Sequence, residues 1–202
     1  MKTFLSFAPR QPEHALKKAV YEPVDNGALA YGETRFPILP VIHAYARPNE
    51  AFRVLLVVEE YENSIQNAQT FRQELEALCR EDGLLCPEVE VLSIPFDDSV
   101  ATQIATFRLL TEQIQDNADL YACITYGSKP APIVELMALR YARQMKKDTY
   151  IACVVYGQFD HNRGKAVLYD VTALARLDDL MRVLTDSGVP DPQAMLQTLL
   201  DT

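Results

Sequence analysis

The stretch "LYACITYGSKPAP", residues 120–132, decides how the rest of the chain is read. Its apolar run halts at Tyr126-Gly127, a hydroxyl and an amine follow at Ser128 and Lys129, and two prolines lead onward. Downstream, Ile133, Met137, Ala138, Tyr141 and Met145 recur at helical spacing. A short apolar run bounded by turn residues reads as a buried strand. Proline suits a helix's first turn because it has no N–H to leave unpaired there. The segment therefore predicts strand, turn and helix, with a turn whose backbone can come close to a ligand.

The same alternation extends in both directions. "KTFLSFA" (2–8) is a first strand stopped by Pro9, and "FRVLLVVEE" (52–60) is the continuous apolar run of a strand buried on both faces. Ile65, Ala68, Phe71, Leu75 and Leu78 mark a helix that Gly83 closes. "EVEVLSIP" (88–95) is a strand. Asp97, Asp98 and Ser99 then supply capping oxygens and first-turn negative charge to a helix with the face Val100, Ile104, Phe107, Thr111 and Ile114. "TYIACVVYG" (149–157) and "KAVLYDV" (165–171) are further strands. Near the start, "KKAVYEP" and "ALAYGE" flank Asn26-Gly27, a strong hairpin signal, and "RFPILPVIHAYA" follows as a helix.

From about residue 171 strands give way to helix alone. Leu174, Leu177, Met181 and Leu184 form one helix, which Gly188 and Pro190 break before a last helix at 191–200. This segment is either an appendage or the last layer of the same domain. The expected fold is α/β and Rossmann-like: a mostly parallel sheet with helices on both faces, a β-hairpin insertion after strand one, and a short C-terminal helical segment.

Bulk properties bound the function. A chain of 202 residues is long enough for one good core, and 49% hydrophobic with 23% charged residues is ordinary for a globular protein. No apolar run approaches a membrane span, and the N-terminus lacks the long apolar region of a signal peptide, so a cytoplasmic protein with no membrane partner is expected. A net charge of -9 argues against a DNA-binding role. Cys79, Cys86, Cys123 and Cys153 have no C-x-x-C spacing and are expected to be buried thiols. His14, His43 and His161 are scattered without metal-ligand spacing, so neither metal nor cofactor is expected.

In an open α/β sheet, ligands bind beyond the carboxyl ends of the strands, where strand order reverses. With strand one central, that point lies between Ala8, Pro9, Arg10 and Gln11 on one side and Thr125, Tyr126, Gly127, Ser128 and Lys129 on the other. Each residue has a plain alternative. Gly127 can simply supply a positive φ, Ser128 can cap the helix, Lys129 can be a solvated lysine, and Tyr126 can be core. A dinucleotide site would need G-x-G-x-x-G after the first strand, and "SFAPRQPEH" has no glycine. A P-loop and a nucleophile-elbow serine are equally without their motifs.

The segments "CITYGSKPAPIVELMALRYA" and "ACVVYGQFD" resemble the CRISPR-associated Rossmann-fold (CARF) family, in the branch that carries D-x-T-H-G and then Y-G-x-[FY]-[DE]. Thr125 and Gly127 match the first motif, with Cys123 in place of its aspartate, Tyr126 in place of its histidine and Lys129 where arginine is usual. Tyr156, Gly157, Phe159 and Asp160 match the second. "GETRF" and the trailing segment are also similar, so the resemblance spans residues 1–170 as a CARF-like domain and 171–202 as its usual helical extension. It implies a homodimer that binds cyclic oligoadenylate, of four or six adenylates, across its two-fold axis. The ligand would meet Ala8, Pro9, Arg10, Arg35 and Thr125 to Lys129. The effector domain of many members, with its R-x-x-x-x-H motif, finds no counterpart, since no histidine follows His161. That leaves a ring nuclease, with Lys129 and Ser128 in catalytic roles and no metal, or a sensor that acts through a partner protein.

Overall fold

The computed structural model describes residues 1–160 and 163–200. Eight strands form one sheet: β1 (Lys2–Phe7), β2 (Ala19–Pro23), β3 (Glu33–Thr34), β4 (Arg53–Glu59), β5 (Val89–Ile94), β6 (Asp119–Cys123), β7 (Tyr150–Asp160) and β8 (Lys165–Asp170). Their order is β3-β2-β8-β7-β6-β1-β4-β5. The inner pairs β5-β4, β4-β1, β1-β6 and β6-β7 are parallel, as is β8-β2, while β7-β8 and β2-β3 run antiparallel. The expected Rossmann-like α/β fold is therefore the observed one. β1 lies between β4 and β6, so the order reverses beside it as the sequence predicts.

The apolar strands sort their side chains onto two faces. Along β4, Val54, Leu56 and Val58 enter one core cluster while Leu55 and Val57 enter the other. The first cluster lies under α1 (Ile38–Tyr45) and α2 (Glu62–Asp82), the second under α3 (Val100–Gln113) and α4 (Ala131–Met145). On β7 the pairing register shifts opposite Leu120 and Tyr121, leaving Ala152 as an extra residue. Ile151 and Cys153 consequently face opposite clusters despite being two apart. α5 (Thr172–Asp186) packs Ala175 into the second cluster, and its Thr172 hydroxyl accepts from Val154 N at 2.8 Å. α6 (Pro192–Leu200) follows it.

Several local expectations are corrected. No tight turn forms at Asn26-Gly27. The Asn26 side chain accepts from Ala28 N and caps a 3₁₀ turn over Gly27–Leu29, so β2 and β3 meet through a longer connection and pair at only two positions. The helix faces on α3 and α4 also differ from the predicted ones. On α4 the buried residues are Ala131, Val134, Glu135, Ala138, Leu139 and Ala142, whereas Ile133 is 63% exposed and Met137 and Tyr141 are exposed with it. On α3, Thr106, Leu110 and Thr111 are buried while Val100 is 75% exposed and Ile104 is exposed. Of the four free cysteines, Cys86 is exposed and only the other three are buried. Ile65, expected on the inner face of α2, is exposed, and Ser64 and Asn67 are buried instead. His161 lies outside the described residues. No described helix is long and apolar enough to cross a membrane.

Candidate functional site

The carboxyl end of β6 is built by hydrogen bonds to its neighbour. Thr125 Oγ1 accepts from Gly157 N at 2.8 Å and lies 3.1 Å from Cys123 Sγ, and Ile124 N donates to Val155 O. The chain then turns at Gly127 with φ +101°, where a Cβ would stand 2.7 Å from that of Ala131 and 3.0 Å from the Phe7 ring. Both the conformation and the close approach of α4 to the sheet therefore demand glycine. Gly157 is confined by close approach alone, since a Cβ there would lie 2.4 Å from the Pro37 ring.

Beside this turn opens a cleft of about 410 Å³. Thr125 and Gly157 form its floor. Tyr21, Tyr126, Tyr156 and Phe159 supply aromatic walls, and Gln11, Lys17 and Gln158 supply polar groups. The Tyr126 hydroxyl donates to Arg35 O at 2.7 Å and pairs with that of Tyr21, which fixes the ring. Burial pushes the Tyr126 phenol well above its ordinary value, and burial likewise raises Tyr21. Tyr156 stacks on Tyr169 of β8 and remains partly open to solvent.

α2 holds the opposite wall. Its buried Asn67 donates to Pro9 O at 2.9 Å and Gln11 O at 2.8 Å, and Asn63 donates to Arg10 O. Glu74 accepts from Thr34 Oγ1, Arg35 N and Arg35 Nη1. A helix facing an apolar sheet with asparagine and glutamate inward is thus accounted for by the loops it positions.

The predicted site residues divide into two groups. Thr125 and Tyr126 line the cleft, with Gly127 at its edge. Ala8 and Pro9 are buried, contributing backbone only: Ala8 N donates to Val57 O, and Pro9 O accepts from Asn67. Arg10 makes a two-pronged pair with the buried Glu59 and a further bond to Asp98 at 2.9 Å. The Arg10 guanidinium, helped by a hydrogen bond from Ser128, holds the Asp98 carboxyl below its ordinary range. Ser128 is buried on that side and does not cap α4, whose first turn begins at Pro130 without a side-chain cap. Lys129 is exposed ahead of the helix. Arg35 is held by Glu74 and borders a shallow depression next to the cleft.

Gln11, placed at the ligand point by sequence, lines the cleft, whereas Lys17, Tyr21, Tyr156, Gln158 and Phe159 were not assigned to a site. Tyr156 and Phe159 carry part of the second family-like motif, which is the signal that points to them. Lys17 and Gln158 carry none, being ordinary polar residues brought together from opposite ends of the chain. Compared with known proteins, the chain matches no family model and no curated protein.

Proposed function

We propose that this chain is a CARF-type protein that binds cyclic oligoadenylate as a homodimer and cleaves it to linear products. The observation that carries this reading is the tyrosine-walled cleft directly beside the Thr125–Gly127 turn at the point of strand-order reversal. Aromatic walls take a nucleobase by stacking, and glutamine amides can hydrogen-bond its edge. The cleft's volume suits a base with its ribose. The phosphates then run over the turn, where Gly127 permits close backbone approach and Lys129 offers an unpaired cation among the described residues.

In the cleavage step, a ribose 2′-hydroxyl attacks its own 3′-phosphorus and the bond to the next 5′-oxygen breaks. The hydroxyl's proton is lost, the leaving oxygen gains one, and the product ends in a 2′,3′-cyclic phosphate. Holding the 2′-hydroxyl in line supplies most of the rate, and Lys129 stabilises charge on the phosphorus oxygens. The homodimer of this reading has a face to form on. Val100, Ile104 and Phe107 of α3 and Ile133 and Met137 of α4 border an apolar groove of about 360 Å³ that reaches Asp98 and Pro130 beside the turn. Val100, Ile104, Ile133 and Met137 are all exposed there, and apolar residues gathered on one face, unlike single scattered ones, suit an interface. Ile133→Asp is expected to yield a monomer by light scattering; a variant as dimeric as wild type places the seam elsewhere.

A second reading, a sensor without turnover, is favoured by one observation: Ser128 is buried and does not line the cleft. Incubation with cyclic tetra- and hexaadenylate in EDTA, followed by chromatography, separates the two. Linear products lost in Lys129→Ala support cleavage through the turn. Wild-type rates in a Lys129→Ala protein that still binds remove Lys129 from the mechanism. Binding without conversion makes the protein a sensor.

A further inference from the structure

The charge around the strand ends is unevenly distributed. On the β4-β5 side stand Glu59, Glu60, Glu62, Asp97 and Asp98, and Arg10 is consumed by two of them. On the cleft side a depression is lined by Glu13, His14, Leu16, Lys17, Lys18 and Arg35. It shares Leu16 and Lys17 with the tyrosine cleft, so the two are continuous. Among the described residues neither Lys17 nor Lys18 has an ion-pair partner, and both are exposed. Glu74 takes up Arg35, so the uncompensated charge of the depression is Lys17 and Lys18 against Glu13, a local positive excess in a chain of net charge -9. The segment is anchored, because Asn67 grips Gln11 O and Glu74 grips Arg35.

From this continuity we propose that the Glu13–Lys18 shelf is a phosphate-binding site, receiving a phosphate of the nucleotide whose base occupies the tyrosine cleft. The inference rests on the nucleotide reading of the cleft and adds to it. Lys17 faces both spaces and spans base and phosphate, while Lys18 adds charge. The site thereby prefers phosphorylated adenylates over the bare nucleoside, and it places a phosphate contact well away from Lys129.

The test compares adenosine with adenosine 5′-monophosphate by titration at low salt, in the wild type and in a Lys17→Ala/Lys18→Ala variant. Both lysines are exposed, so the variant should fold with an unchanged melting temperature. The monophosphate should bind about tenfold more tightly than adenosine to the wild type, and this advantage should vanish in the variant and shrink at 0.5 M salt. Adenosine binding should stay the same in a Lys18→Ala single variant, because Lys18 borders the shelf and not the cleft. Equal binding of the two probes to the wild type, an advantage that survives in the double variant, or no binding of either probe would overturn the proposal. Cyclic tetraadenylate distinguishes the two layers. If it fails to bind while the monophosphate advantage holds, the cyclic-ligand reading falls and the shelf stands. If it binds the double variant undiminished, the shelf falls and that reading stands.

Discussion

The two halves of the carboxyl edge use similar residue types to opposite ends. On the β1-β4-β5 half, cation and anion close on each other: Arg10 with Glu59 and Asp98, its guanidinium 4.9 Å above the Phe96 ring, which itself stacks on Tyr61. On the β6-β7-β2 half the aromatic rings surround empty space and Lys17 faces it without a partner among the described residues. A charge already neutralised by the protein offers little to a ligand and destabilises the fold only when its partner is removed, whereas an uncompensated charge beside a preformed cleft is available for binding. The first half is thus a structural joint and the second the proposed site, although both lie where topology alone would put a ligand.

Substitutions separate the halves. The largest effect is expected at the joint. Arg10→Met strands the buried Glu59 carboxylate and should cost about 3 kcal/mol by urea denaturation, while nucleotide affinity of the folded protein stays within twofold. A Kd raised tenfold or more would show that Arg10 serves the ligand after all. Asn67→Ala crosses the division, because Asn67 ties α2 to the loop that forms the cleft wall. It should cost about 2 kcal/mol by leaving buried carbonyls unpaired, and it should also weaken nucleotide binding. Loss of stability with affinity intact would mean that the loop holds its position without the helix.

The smallest effect concerns Glu135 on α4, fully buried with neither carboxylate oxygen hydrogen-bonded among the described residues. It is the counterpart of Glu59 without an arginine. Burial raises its carboxyl well above the ordinary value, so the folded state keeps a proton that the unfolded chain releases near pH 4. The folded state then binds more protons, and stability falls as pH rises from that point through the raised folded pKa. Glu135→Gln should therefore be more stable than wild type at pH 7, by about 1 kcal/mol, with the advantage fading toward pH 4. A Gln variant less stable at neutral pH would mean that the carboxylate has a partner.

Much of this was legible beforehand, and particular residues show why the rest was not. The apolar runs of β1, β4 and β6 fixed the sheet, and Gly83, with φ +65°, closes α2 as the pattern predicts. The faces of α3 and α4 were misread because apolar residues make up half or more of each helix, so periodicity does not select which stripe is inward. α4 turns its alanines to the sheet, where Gly127 and Ala131 bring it close, and leaves Ile133 and Met137 outside. Asn26-Gly27 misled because asparagine's side chain satisfies a backbone N–H and so competes with the tight turn it also favours. At the site, Thr125 to Gly127 could be picked out from a single strand-to-helix turn. Gln158 joins it through the pairing of β7 with β6, and Lys17 and Tyr21 through that of β2 with β8 and β8 with β7, which no local pattern encodes.

The most direct test is amide chemical-shift mapping with cyclic tetra- and hexaadenylate. Perturbation is expected at residues 11–17, 125–127 and 156–159, with residues 59–61 and 97–99 unmoved. Perturbation centred on the acidic half, or none from either ligand at saturating concentration, would contradict the proposed site.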